Sequence, residues 1–207
     1  MRNRTISSFT LVLLLPALLG ACNVVPEATD SVDVPTVSSG STPTFQIDPS
    51  WPREMPNSWI IGAVTSVFVD AQDHVWVTHL QETLTPEETA VVQDPPIGIC
   101  CVPAPTVIEF NAEGEVVQAW GNPSQDISVF PRNPHGLFVD HNDYVWIGTY
   151  RHHRVMKFTR NGEHLMTIGE YDQNAGSNDT NFLGGPAGIW VDSETNEVYI
   201  ADGYRNR

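Results

Sequence analysis

Basic residues are scarce in this chain: Lys and Arg number 10 against 25 Asp and Glu, a formal net charge of −15 at pH 7. A surface of that sign repels nucleic acid and anionic lipid head groups, and no basic patch of the kind RNA-binding proteins need interrupts it. Cysteine is scarcer still, at three residues, and the adjacent pair Cys100-Cys101 lacks the ligand spacing of a metal site. No Gly-x-Ser-x-Gly, Walker or His-Glu-x-x-His pattern is present. Gly184-Gly185-Pro186 is not a phosphate loop, because no helix follows it to supply amide donors.

The N-terminus reads as an export signal. Arg2 and Arg4 precede an apolar core centred on residues 11–15, followed by Leu19-Gly20-Ala21-Cys22, a stretch too short for a flanked membrane-spanning helix. The small residues before Cys22 resemble a bacterial lipobox, in which the cysteine becomes the lipidated first residue; the alternative is an ordinary cleaved signal. The lipobox reading implies export and a lipid anchor to the bacterial cell envelope, at the outer membrane or the periplasmic face. Residues 23–43 are rich in Ser, Thr, Val and Pro without periodicity, the composition of a tether. In an oxidising compartment Cys100 and Cys101 form either a vicinal disulfide that stiffens the Pro95 to Pro105 loop or two buried thiols.

A repeat dominates residues 44–207. An apolar pair followed by Asp occurs at Phe68-Val69-Asp70, Phe138-Val139-Asp140 and Trp190-Val191-Asp192. Each is followed after a polar turn by a second run, Val75-Trp76-Val77, Val145-Trp146-Ile147 and Val198-Tyr199-Ile200. Two units continue into a third and fourth run joined by Glu113-Gly114 and Asn161-Gly162, glycine turns that close hairpins. Short runs rich in Val, Ile, Trp and Phe predict strands, so the unit is a four-stranded antiparallel meander. The aligned aspartates stand 70 and 52 residues apart, the longer gap containing an insertion from Glu82 to Pro105. Without it the period is about 45, within the range of propeller blades. The predicted fold is all-β, a propeller of four-stranded blades, with a β-sandwich as the alternative. Two complete units and half of a third suggest the N-terminal part of a longer chain, or closure by self-association.

The pattern Gly-x-x-Val-Asp, Val-Trp-Ile, His153-Arg154-Val155 and Asn161-Gly162-Glu163 resembles the NHL repeat, whose domains are six-bladed propellers. More narrowly, Pro134-His135-Gly136-Leu137 and Ala201-Asp202-Gly203-Tyr204 resemble segments of the peptidyl-α-hydroxyglycine α-amidating lyases. Members of that family are zinc-dependent propeller enzymes that split hydroxyglycine-extended peptides into peptide amide and glyoxylate. The resemblance implies that His135 is a zinc ligand, that the carbonyls of Leu137 and Val67 bind a structural calcium, and that Tyr204 lies at the catalytic centre. It also implies an Arg after His79, where this chain has Leu80, a side chain unable to pair with a carboxylate.

On the residues alone His135 can equally be a structural histidine, and Tyr204 an aromatic that packs between blades. Arg151 and Arg154, in the cluster Arg151-His152-His153-Arg154, are candidates to hold an anion or members of a solvated connection. His74, Asp73, His141 and Asp143 are expected to face water, and the Arg160 to Glu163 turn to carry no chemistry. Two functions follow from these readings. One is an envelope-anchored binding module for a peptide, a glycan or another envelope protein, acting through its central face or the Cys100-Cys101 loop. The other is a zinc-dependent lyase.

Overall fold

The structure, a computed structural model, describes residues 42–122 and 124–206; the leader, Cys22 and the tether as far as residue 41 lie outside them. Every element named below belongs to the compact unit Gln46–Arg207. Its strands are β1 (Trp59–Ile60), β2 (Ala63–Val69), β3 (Val75–Leu80), β4 (Val102–Pro103), β5 (Val107–Phe110), β6 (Val116–Trp120), β7 (Pro134–Val139), β8 (Val145–Thr149), β9 (Arg154–Phe158), β10 (His164–Ile168), β11 (Gly188–Val191) and β12 (Val198–Ala201). The first sheet has the order β2-β3-β5-β6, the second β7-β8-β9-β10, and the third pairs β11 with β12. The first two are antiparallel meanders and the third an antiparallel pair. No helix among the described residues is long and apolar enough to cross a membrane.

Alternation along the middle strands explains why they read as unbroken apolar runs. Val145, Ile147, Met156 and Phe158 of the second sheet join Trp76 and Val107 of the first in one core. Their neighbours Trp146 and Val155 join Val191 of the third sheet in another. A strand covered on both faces has no polar face to alternate with. Burying each of these large side chains contributes about 1.5–3 kcal/mol, and truncating Ile147 to Ala would cost about 2–5 kcal/mol through the cavity it leaves.

The Asp of each repeat organises its turn. Asp70 Oδ1 accepts the N–H groups of Gln72 and His74 at 2.9 Å, and its Oδ2 accepts the Trp76 indole N–H at 2.8 Å. Asp140 does the same for Asn142, Tyr144 and Trp146. Asp73 and Asp143 take the left-handed conformation that closes these turns, φ 60° and 61°. The third unit departs: Asp192 Oδ1 accepts from Glu194 and Thr195 in a turn one residue longer, and Tyr199 stands in place of Trp and donates to Glu197.

Adjacent sheets are pinned by a tryptophan over a glycine turn. Gly162, at φ +85°, lies under Trp120 of the first sheet, so close that a Cβ there would come within 2.5 Å of the indole. Gly114, at φ +86°, lies under Trp51 in the same way, with 2.8 Å left for a Cβ. The ring pairs Trp120–Phe158 and Trp51–Phe110 match, at 5.1 and 5.5 Å between centroids. Trp51, with Met55, Trp59 and Ile61, thus covers the first sheet where β6 covers the second. The insertion between β3 and β5 is tied down by the parallel pairing of β4 with β1 and by the buried Ala104, whose N–H is donated to Ile60. Cys100 and Cys101 are joined as a vicinal disulfide across a cis peptide, with Cys100 exposed rather than buried.

Candidate functional site

The end of the sheets at which β7 starts and β8 finishes, here called the upper end, brings His135, Tyr150 and Tyr204 together. His135 sits where the register of β7 against β8 shifts between Pro134 and Gly136. Such a bulge turns a side chain out of the regular in-and-out alternation. Thr65, its counterpart in the first unit, sits at the same shift in β2. Tyr204 comes from the loop after β12, 69 residues away in sequence, and its hydroxyl lies 2.9 Å from His135 Nε2. The three rings form a triangle with centroids 5.2–5.4 Å apart.

The loop carrying Tyr204 is held by Asp202. Its two carboxylate oxygens accept the N–H groups of Gly184 and Gly185, each at 2.6 Å. A Cβ on Gly185 would fall 2.8 Å from the Tyr204 Cβ, so glycine is required for this loop to dock. The glycine pair that supplies no phosphate loop therefore seats a carboxylate of the chain itself. On the other side of the ring, His135 Nδ1 faces the Ala187 carbonyl at 3.5 Å. With the proton on Nδ1, the Nε2 lone pair is free to accept the Tyr204 O–H.

Of the two arginines in the 151–154 cluster, Arg151 is exposed and donates its Nε–H to the Tyr150 hydroxyl at 2.6 Å. His153 and Arg154 are not solvated but buried. His153 bonds to the Gly184 carbonyl through Nδ1 at 2.8 Å, which leaves Nε2 to accept from Arg205 at 3.3 Å. His152 donates to Asp172 at 2.7 Å and stacks on Tyr171. Val67 and Leu137 hold equivalent register positions, opposite Val77 and Ile147, on two strands that pack together. His79, before Leu80, is fully buried: Nδ1 accepts the Gly62 N–H at 3.1 Å and Nε2 donates to the Pro105 carbonyl at 2.9 Å. Burial holds its pKa below the ordinary histidine value.

At the lower end the structure corrects the expectation that His74 faces water and that the Arg160 turn is inert, while Asp73, His141 and Asp143 are exposed as expected. Ligand atoms of Asp70, His74 and Glu109 lie within 4.8 Å of one another, a grouping that could hold a metal ion. The Arg160 guanidinium occupies that position. Nη2 pairs with Asp70 at 2.7 Å and with Glu109, while Nη1 pairs with Asp143 at 3.0 Å. His74 donates Nδ1–H to Glu109 at 2.6 Å. A metal would have to displace a cation already compensated by three carboxylates. Although burial works to raise it, the Asp70 pKa is lowered by the hydrogen bonds from Trp76, His74, Arg160 and Gln72. Sequence reasoning missed this network because the carboxylates that meet Arg160 lie 17, 51 and 90 positions from it; the Asp in each repeat was visible, and the Arg that answers it was not.

No family model matches the chain. Over 186 residues it is 30% identical to peptidyl-alpha-hydroxyglycine alpha-amidating lyase 2 of Drosophila melanogaster, a distant homology covering 86% of this chain. The match spans 41% of that protein's length. Solved structures with similarity include a streptogramin B lyase, at 17% identity and a TM-score of 0.38 over 67% of this chain and 34% of that one. A catalytically inactive virginiamycin B lyase from Staphylococcus aureus with quinupristin gives 17% and 0.40, over 72% and 37%.

Proposed function

We propose that this chain forms blades of a six-bladed NHL-type propeller with a lyase site of the amidating type at its upper end. The observation that carries this reading is the 2.9 Å contact between Tyr204 and His135, two residues singled out for one centre and separated by 69 positions. Distant homology to an amidating lyase over most of the chain supports it.

His135 fits the role of a zinc ligand. Its Nε2, which faces the Tyr204 hydroxyl at 2.9 Å, carries the lone pair a metal would take, and the other ring nitrogen faces a backbone carbonyl, the arrangement that orients metal-bound imidazoles. It would be one of about three protein ligands; among the described residues no group of three or more ligating side chains includes it. Bound zinc would supply Lewis-acid polarisation of a substrate oxygen. The part of this chain is to orient: with His135 Nε2 committed to the metal, Tyr204 Oη, 2.9 Å from that nitrogen, would stand beside the metal and hydrogen-bond a substrate hydroxyl there. Calcium at the carbonyls of Val67 and Leu137, export, and lipidation at Cys22 belong to the same proposal. The substrate class is a peptide ending in hydroxyglycine.

Leu80 favours a second reading, a binding module for a peptide, glycan or envelope protein. It removes the Arg expected for carboxylate capture, and the insertion offers the exposed apolar residues Ile97 and Ile99 beside the disulfide. One experiment separates the two. The whole protein is assayed for bound zinc and for glyoxylate release from a hydroxyglycine-extended peptide, with His135→Ala and Tyr204→Phe alongside. Turnover that falls at least about 100-fold in both variants is expected. Wild-type protein that is folded, zinc-free and inactive overturns the lyase reading. The module reading then has its own check, loss of an envelope partner on deletion of residues 82–105.

A further inference from the structure

A substrate that ends in hydroxyglycine carries a carboxylate on the carbon that reacts, so the upper end needs a cation within reach of the aromatic triangle. Leu80, the last residue of β3, supplies none. We propose that Arg151 is the specificity residue of this site, its guanidinium holding the terminal carboxylate of the substrate. The substrate class rests on the lyase reading; the geometry is that of Arg151 itself.

Arg151 directly follows Tyr150, one of the three rings of the triangle. The Tyr150 ring neighbours both partners: its centroid is 5.5 Å from the Arg151 Cζ and 5.3 Å from the His135 ring. Arg151 donates Nε–H to the Tyr150 hydroxyl at 2.6 Å, a bond that orients the guanidinium of an otherwise exposed side chain. With Nε committed, Nη1 and Nη2 make no hydrogen bond or ion pair among the described residues. Those two nitrogens can hold a carboxylate end-on with two parallel bonds. Because Tyr150 accepts from Arg151, its own O–H remains to donate to the same ligand.

The other arginines near the triangle are committed elsewhere. Arg205 follows Tyr204 but is turned to His153, donating to Nε2 at 3.3 Å. Arg154, in the seam between the first and second sheets, is 3% exposed and closed to a ligand. Glu82, two residues past Leu80, acts on Arg151 electrostatically, which places the cation by the upper end of β3. It forms no ion pair with Arg151 and accepts instead from the Asn133 amide, so the fork stays unfilled. A single exposed ion pair changes affinity by no more than about fivefold. Two parallel bonds from a guanidinium already oriented by Tyr150 raise the expected effect to about tenfold.

The test uses the whole protein and calorimetric binding of two inert probes that lack the reacting hydroxyl. One is a short peptide ending in glycine with a free carboxylate, the other the same peptide ending in glycine amide. The acid should bind about tenfold more tightly. Arg151→Met should weaken the acid about tenfold and leave the amide within about twofold, whereas Arg151→Lys, which keeps the charge but not the fork, should retain part of the preference. In turnover of a hydroxyglycine-extended peptide the same loss should appear as a rise in KM with kcat little changed. Acid-selective binding without turnover keeps Arg151 as the carboxylate anchor and removes the lyase chemistry. Turnover with an acid preference that survives Arg151→Met overturns the role of Arg151 and keeps the lyase reading. Equal binding of acid and amide by the wild type, or binding of neither, overturns the proposal whatever the turnover.

Discussion

Arg160 and Arg154 project from the two ends of the same strand, β9 and its turn, into the same seam, yet they meet opposite environments. At the lower end Arg160 finds Asp70, Glu109 and Asp143, with the Asp70 and Glu109 carboxyls almost wholly buried. At the upper end Arg154 is the more deeply buried of the two, and its Nε and Nη2 find no hydrogen-bond partner. One cation closes a structural clamp between sheets; the other is an open valence. Burial of a charge is therefore not enough to say what it does, because its meaning depends on whether the neighbouring element brought a counter-charge.

The contrast is sharpest under matched substitutions. Arg160→Met should destabilise the protein by about 3–5 kcal/mol in denaturant unfolding, since it leaves Glu109 buried and uncompensated. Arg154→Met should cost nothing or stabilise, because it removes a buried unpaired donor set. Equal losses from the two would break the comparison.

Between these extremes, Trp146→Phe should cost about 1–3 kcal/mol, since it leaves Asp140 Oδ2 without the indole N–H it accepts. Trp76→Phe should cost less in hydrogen bonding, because Asp70 Oδ2 keeps Arg160. Gly185→Ala should leave the clamp and most of the stability intact while displacing Tyr204, seen as a loss of at least about tenfold in turnover if the upper end is catalytic.

The smallest effect is in pH. The folded pKa of His79 is depressed, so the unfolded chain binds the extra proton first. Stability is full above the unfolded value of about 6.5 and falls as pH drops below it, by at most about 1.4 kcal/mol per pH unit. His79→Gln, an amide that can both donate and accept, should flatten that slope between pH 6.5 and 5. The Asp70 contribution has the same sign but a lower window, lost as pH falls below about 4.

Most of the fold was legible in the residues. The apolar-apolar-Asp step and the second apolar run marked β2 and β3, β7 and β8, and β11 and β12; β3 and β8 read as unbroken apolar runs because they are buried on both faces. The glycine turns marked the outer hairpins, and the insertion stood out as a lengthened spacing. Of the candidate site, His135 and Tyr204 were visible as residue types in motifs. Their meeting was not, since it depends on a bulge in β7 and on Asp202 seated on Gly184 and Gly185.

What the sequence by itself determined is the local and periodic part: strand, turn and repeat, set by side-chain alternation and by aspartates that bond within a few residues of themselves. Tertiary structure alone decided which charges are answered. Arg160 and Arg154 look alike in sequence, six positions apart on the same hairpin. Only the stacking of the second sheet on the first gives one of them Asp70 and Glu109 and leaves two donors of the other without a hydrogen-bond partner, because electrostatic partners are chosen by distance in space and carry no period along the chain.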